Sequence, residues 1–179
     1  MNATHVIYRL GSDDAEDRQQ MNAITNMVND VFSIEDEGMW RPGHTRTSVD
    51  RIVQMAKSGE LVVAELDGEL VGVIRVQRID DRTAYSSMLV THPDHRGQGL
   101  ARQLRQYVFD YLRRLGITTL RIDNIAPRYI DRKATEFMTD WNERAGYVVV
   151  GRVPVEEVHP EVAPMLLVPC DFIQYERVL

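Results

Sequence analysis

Cysteine is nearly absent from this 179-residue chain. Cys170 stands alone, so neither an internal disulfide nor a cysteine-based zinc site can be built, and nothing calls for an oxidising compartment. Long apolar runs are missing too: stretches such as Leu-Val-Val-Ala at 61–64 fall far short of the about 20 residues a membrane-crossing helix needs. The opening MNATHVIYRLGSDDAED has neither a basic leader nor an apolar core, which argues against a secretory signal. Positive charge is in deficit, 21 Lys and Arg against 27 Asp and Glu. A dedicated nucleic-acid binder needs the opposite balance. With 44% hydrophobic and 27% charged residues, the composition is globular rather than disordered. The expectation is a single domain over 1–179, cytoplasmic, with no membrane and no nucleic-acid partner.

The order of elements carries more. Thr4 to Arg9 reads as a first strand. Met21, Ile24, Val28 and Val31 fall at helical spacing, as do Val49, Ile52, Val53 and Ala56, with a polar loop punctuated by Gly38, Pro42 and Gly43 between them. Leu61–Leu66 is a continuous apolar strand, Asp67-Gly68 a tight-turn signal, and Leu70–Ile79 the hairpin partner. A strand over Thr83–Val90 follows. Leu100, Leu104, Val108, Tyr111, Leu112 and Leu115 stripe a long helix that Gly116 ends. Thr118–Ile122 is a strand, and Ala134, Phe137, Met138, Trp141 and Ala145 mark the apolar face of another helix. Strands over Tyr147–Val153 and Phe172–Val178 close the chain. The resulting order, β-α-α-β-β-β-α-β-α-β-β, describes an α/β (α+β) domain on a largely antiparallel sheet with one central strand–loop–helix–strand crossover.

Arg96-Gly97-Gln98-Gly99-Leu100-Ala101 joins a strand end to a helix start. Glycines let a ligand approach the backbone, and the free N–H groups of a first helical turn, with the positive end of the dipole, suit a pyrophosphate. A simple strand-to-helix connection fits the local pattern equally well. Two nucleotide motifs are excluded. No Gly-Lys-Ser or Gly-Lys-Thr follows, and position 102 is arginine where a dinucleotide fingerprint needs a third small residue.

Arg96-x-x-Gly99-x-Ala101 matches the coenzyme A signature of the GNAT N-acetyltransferases, and Trp141-Asn142-Glu143-Arg144-Ala145-Gly146-Tyr147 looks like that family's later segment. With the matching element order, the chain resembles that family over nearly its whole length. The resemblance implies acetyl-CoA or CoA as co-substrate. It puts the pyrophosphate on the amides of Arg96, Gly97, Gln98, Gly99, Leu100, Ala101 and Arg102, and the pantetheine arm along Met88, Leu89 and Val90. A splay between that strand and the one at 118–123 would admit the thioester, and Trp141, Asn142 and Arg144 would cover its far side. Arg102 and Arg105 are expected at the nucleotide phosphates or exposed on the helix. Dimers are common among similar proteins, and the terminal strand is placed to pair across a two-fold in a homodimer.

Two departures stand out. Many members have a tyrosine at Asn142, thought to protonate the departing thiolate, and many have a glutamate in the strand that here spans 83–90. The first loss is tolerable: with a thiol pKa of about 8.5, the thiolate lies only ~2 kcal/mol uphill at pH 7. The second matters more, because deprotonating a lysine-like amine at pH 7 costs about 4.6 kcal/mol. Glu37, with Glu35 and Asp36 beside it, is one candidate base, although a solvated acidic loop is the favoured reading of the three. Asp123 is the other. His92 and His95 have no evident third metal ligand, so no metal is expected. Trp40 reads either as a wall of the acceptor pocket or as an anchor for its loop. The acceptor would be a small-molecule or peptide amine. A domain of the same fold that binds CoA without transferring the acyl group is the first rival, and a dinucleotide oxidoreductase the second.

Overall fold

The computed structural model describes residues 5–179, so Thr4 of the expected first strand lies outside the described residues. Seven strands form one mixed sheet: β1 (Val6–Arg9), β2 (Leu61–Leu66), β3 (Glu69–Arg78), β4 (Thr83–Thr91), β5 (Thr119–Pro127), β6 (Val148–Pro154) and β7 (Cys170–Val178). Their spatial order is β1-β2-β3-β4-β5-β7-β6, antiparallel except where β4 and β5 run parallel. Four helices of two or more turns accompany them: α1 (Arg18–Glu35), α2 (Val49–Lys57), α3 (Leu100–Arg114) and α4 (Lys133–Arg144).

The local signals explain most of this. Asp17 caps α1 by accepting from the Gln20 N–H at 3.0 Å, and Ser48 caps α2. Asp67 and Gly68 both take positive φ, 53° and 84°, the geometry that makes Asp-Gly a hairpin turn. Strand β2 is apolar and buried over residues 61–64 because both of its faces are covered there. Val62 and Ala64 pack with the α3 residues Leu104, Val108 and Leu112, whereas Leu61 and Val63 pack with Met21, Ile24 and Val28 of α1. The sheet is therefore a middle layer between α3 and the α1–α2 pair.

Three expectations need correction. The terminal strand β7 is no edge: it sits between β5 and β6, so β1 and β6 border the sheet and a two-fold pairing through β7 is closed off. Strand β5 runs five residues past Ile122, to Pro127, because β7 pairs with it over its whole length whatever the polarity of Asp123 and Asn124. Finally, α4 turns a different face inward than its apolar stripe suggests. Phe137 is 60% exposed and Asn142 fully buried, since the inward face of α4 is the one that meets Arg105 of α3 and, through Thr139, Tyr175 of β7. Leu115 is likewise exposed, lying just past the end of α3.

Gly72 of β3 sets how closely α3 lies on the sheet. A Cβ there would fall 2.8 Å from Leu104 Cδ1 and 3.3 Å from the Val90 carbonyl oxygen. Gly72→Ala should therefore cost about 1–3 kcal/mol in denaturant unfolding by overpacking. Combined with Leu104→Ala, which vacates the same space, the two losses should sum to less than their separate values. Full additivity would mean that the contact does not matter.

Candidate active site

Strands β4 and β5 meet over three rungs only: Thr83 opposite Thr119, Ala84 opposite Leu120 and Tyr85 opposite Arg121. Beyond that, residues 86–91 pair with β3 alone and residues 122–127 with β7 alone. The sheet opens there into a V. On the β4 arm, the register with β3 slips between Val73–Val90 and Arg75–Ser87, so β4 carries one extra residue. Met88 absorbs it at φ 53°, a left-handed conformation that methionine adopts only under constraint. A bulge twists its strand, and here it turns β4 away from its parallel neighbour. Met88, Leu89 and Val90 line that opening with main-chain groups that no strand of the sheet pairs on the β5 side.

The V leads straight into the glycine-rich loop. After a short turn over Pro93–His95, Gly97 and Gly99 both stand at φ 77°, and a Cβ on either would meet nothing within 4 Å. The space above the loop is open. Gly99 caps α3 without any side-chain acceptor, and the first intrahelical bond is Gln103 N–H to the Gly99 carbonyl at 3.0 Å. The N–H groups of Leu100, Ala101 and Arg102 thus precede the ladder, at the positive end of a 15-residue helix. That is a cradle for an anion. Gln98 sits exposed between the two glycines, and Arg102 is exposed on the first turn. The Arg96 guanidinium points away from the cradle, to Glu35 at 3.4 Å. Both partners are half exposed, so this pair positions the loop more than it stabilises the fold. Asn124, on β5 beyond the rungs shared with β4, keeps a buried Nδ2 without an acceptor among the described residues.

The acidic candidates separate clearly. Asp123 lies on β5 just past the last shared rung, beside Tyr85. Burial raises its pKa above the ordinary carboxylate value, and the Tyr85 hydroxyl opposes that rise only in part. Tyr85 in turn is pushed up to about 12, by burial first and by Asp123 second. Glu37 lines a cavity beside the end of α1, and its main-chain carbonyl accepts from Arg132 at 3.2 Å. Its neighbour Asp36 is chemically the more distinctive. Its carboxylate accepts from Trp40 Nε1 at 3.0 Å, and burial raises its pKa. Trp40 stacks on His44 at 3.9 Å and 6°, so the tryptophan both anchors its loop and walls the cavity. The Asp-x-x-x-Trp spacing could have pointed to Asp36 over its two neighbours.

The sequence model of the acetyltransferase (GNAT) family matches residues 24–150. The chain belongs to this family. Solved structures agree in fold. The ribosomal-protein-S18-alanine N-acetyltransferase of Escherichia coli superposes with a TM-score of 0.64 at 14% identity, covering 98% of this chain and 94% of that one. Rv2747 of Mycobacterium tuberculosis, in complex with CoA, gives 0.64 at 15% identity, with coverage of 97% and 99%. The protein yncA of Salmonella typhimurium, with its cofactor acetyl-CoA, gives 0.65 at 17% identity, with coverage of 99% and 95%. No curated protein is significantly similar in sequence. None of the helices among the described residues is long and apolar enough to cross a membrane.

Within this GNAT domain the α4 side is unusual. Asn142 is fully buried, and its Oδ1 accepts from Arg105 Nη2 at 2.8 Å. Arg105, expected at the phosphates or in solvent, is only 7% exposed. Its guanidinium lies 3.4 Å over the Trp141 ring centroid and 5.2 Å from that of Tyr147. A buried arginine with no carboxylate partner is costly, and burial lowers its pKa to about 10. The aromatic faces and Asn142 are what offset that cost. Asn142 is thus committed to Arg105, Trp141 to stacking, and Arg144 is an exposed residue 3.7 Å from Asp140. Asn142→Ala strips the one hydrogen-bond acceptor from a buried cation. Unfolding experiments should show a loss of about 1–3 kcal/mol, and a neutral result would contradict this role.

Proposed function

We propose that the protein is an acetyl-CoA-dependent N-acetyltransferase that passes the acetyl group directly to an amine in a ternary complex. The observation that carries this reading is the continuity of the site: three shared rungs, then a V with a bulge at Met88, then an uncapped helix behind two left-handed glycines. The open space over Gly97 and Gly99 fits a CoA-type ligand. The amides from Gly97 to Arg102 would hold its pyrophosphate, and the main chain of Met88, Leu89 and Val90 its pantetheine arm. Acetyl-CoA supplies an acyl thioester, so the net change breaks one C–S and one N–H bond and makes one C–N and one S–H bond.

Chain residues then have two tasks. Main-chain N–H groups at Met88 to Val90 hold the carbonyl oxygen as negative charge builds on it. Asp123 takes the amine proton, directly or through a water, and its raised pKa makes it a better base than an exposed aspartate. No acid is assigned to the sulfur. Asn142 has no ionisable proton, and a thiolate only ~2 kcal/mol above its thiol at pH 7 can take its proton from water. The absence of that acid, and of a carboxylate on β4, favours a second reading, a domain that binds CoA and transfers nothing.

Free-thiol release on incubation with acetyl-CoA and a panel of amines separates the two. Amine-dependent release supports the transferase; binding without release supports the second reading. Gly99→Val should weaken acetyl-CoA binding tenfold or more, about 1.4 kcal/mol, by filling the cradle. The base assignment has a pH signature. Asp123 works ionised, so kcat/KM should rise with pH through a pKa above the usual carboxylate range, and Asp123→Asn should remove that limb while leaving acetyl-CoA affinity in place. A limb that persists in the variant would move the role to another group.

A further inference from the structure

Two arginines turn inward between α3, α4 and the sheet, and neither meets a carboxylate. Arg105 is held by one hydrogen bond, to Asn142 Oδ1, and its buried Nη1 has no acceptor among the described residues. Arg177 of β7 lies 4.2 Å from the centroid of the Phe109 ring, and its buried Nε has no acceptor either. The acidic groups of the surrounding elements are engaged elsewhere. Asp110 of α3 pairs with Arg113, Asp140 of α4 lies by Arg144, and Glu176 of β7 pairs with Arg121. Glu136 and Glu143 of α4 are exposed. A cation buried without a counter-ion is destabilising, and apolar groups of similar volume in its place are often neutral or better. The contacts of Arg105 with Trp141 and Tyr147 would suit a methionine equally. Stability therefore gives no reason for an arginine at this position.

Its place in the fold gives one. Leu100 and Leu104 lie over Gly72 beside the Val90 carbonyl, so this turn of α3 rests on the β4 arm of the V. Helix α4 stands on the far side. The Thr139 and Tyr175 hydroxyls meet at 2.9 Å, and Tyr175 is opposite Ile122, the first β5 residue past the rungs shared with β4. Since β5 lies between β4 and β7, the Arg105–Asn142 bond joins the two helices over the closed end of the V. A CoA with its pyrophosphate on 97–102 and its arm along Val90 to Met88 brings its thiol to that end. We infer that Arg105, held by Asn142, is the positive charge that steadies the departing CoA sulfur as a thiolate. The inference rests on the transferase reading and adds leaving-group stabilisation to it. As the amine nitrogen bonds to the acyl carbon, its proton goes to Asp123 and the C–S electron pair goes to sulfur. Arg105 keeps its own proton and acts through charge, which carries further where water is sparse. The sulfur takes a proton from solvent afterwards.

The thiol of bound CoA reports that charge directly. Its thiolate absorbs in the ultraviolet, and the complex with desulfo-CoA supplies the blank. The protein's own Cys170 does not interfere, being fully buried with its thiol pushed up to about 11. In the wild-type complex the CoA thiol should titrate about one unit or more below the ~8.5 of a free thiol. Two variants cancel the charge by different routes. Arg105→Met with Asn142→Leu replaces the pair by apolar groups, and Asn142→Asp keeps the arginine but gives it a counter-ion. Both should return the thiol to its free value or above, and should lower kcat about tenfold, the equivalent of one unit, with little change in KM for acetyl-CoA. Arg105→Lys should keep part of the shift. A wild-type thiol that titrates at or above the free value overturns the inference, and so does a lowered one that both variants retain; either result leaves the transferase reading intact. If no amine releases thiol, the transferase reading fails, and the same titration still decides whether Arg105 acts on the bound sulfur.

Discussion

The proposed function depends on where a parallel strand pair stops. Strands β4 and β5 share three rungs and then part, because the bulge at Met88 gives β4 one more residue than β3 can match. A parallel pair is buried between helical layers, and its main-chain groups normally find partners. Here two arms keep their outer neighbours, β3 and β7, and leave their inner edges without each other. The opening is a consequence of pairing, and it needs no flexible lid. It also requires both outer pairings to be strong, which explains why β7 is inserted between β5 and β6 and pairs with β5 over nine residues.

The same opening organises the charges. Anion-binding capacity gathers at the start of α3, where uncapped amides meet two left-handed glycines. At the floor of the V lies Asp123, whose pKa burial raises and to which the proposed reading gives the role of base. The α4 side does something else. Arg105, Asn142, Trp141 and Tyr147 form a buried polar and aromatic cluster that closes the domain, in the stretch where relatives often place an ionisable tyrosine. On the proposed transferase reading, solvent carries the leaving-group proton, which a thiolate lying only ~2 kcal/mol above its thiol at neutral pH allows.

How much of this was legible in the residues differs from element to element. The hairpin at Asp67-Gly68, the capped α1 and α2, the stripe of α3 and the glycine loop all follow from local chemistry, and each lies where its pattern points. The fold family followed from the loop motif and the element order together. Long-range pairing decided the rest. Nothing local in Asp123-Asn124-Ile125 signals a strand, since the sequence there is polar; β7 makes it one. Nothing in Met88 signals a left-handed bulge. Arg105 reads as an exposed helix residue until Trp141 and Asn142 are brought to it from 36 and more positions away.

The central claim is that the inner edge of β4 and the first turn of α3 together form the CoA-binding surface. Amide hydrogen exchange, followed peptide by peptide with and without acetyl-CoA, tests it most directly. New protection is expected at 88–90 and 97–102, with the β1–β2 edge and the β6 edge unchanged. Binding that protects other segments and leaves these two as they were would contradict it.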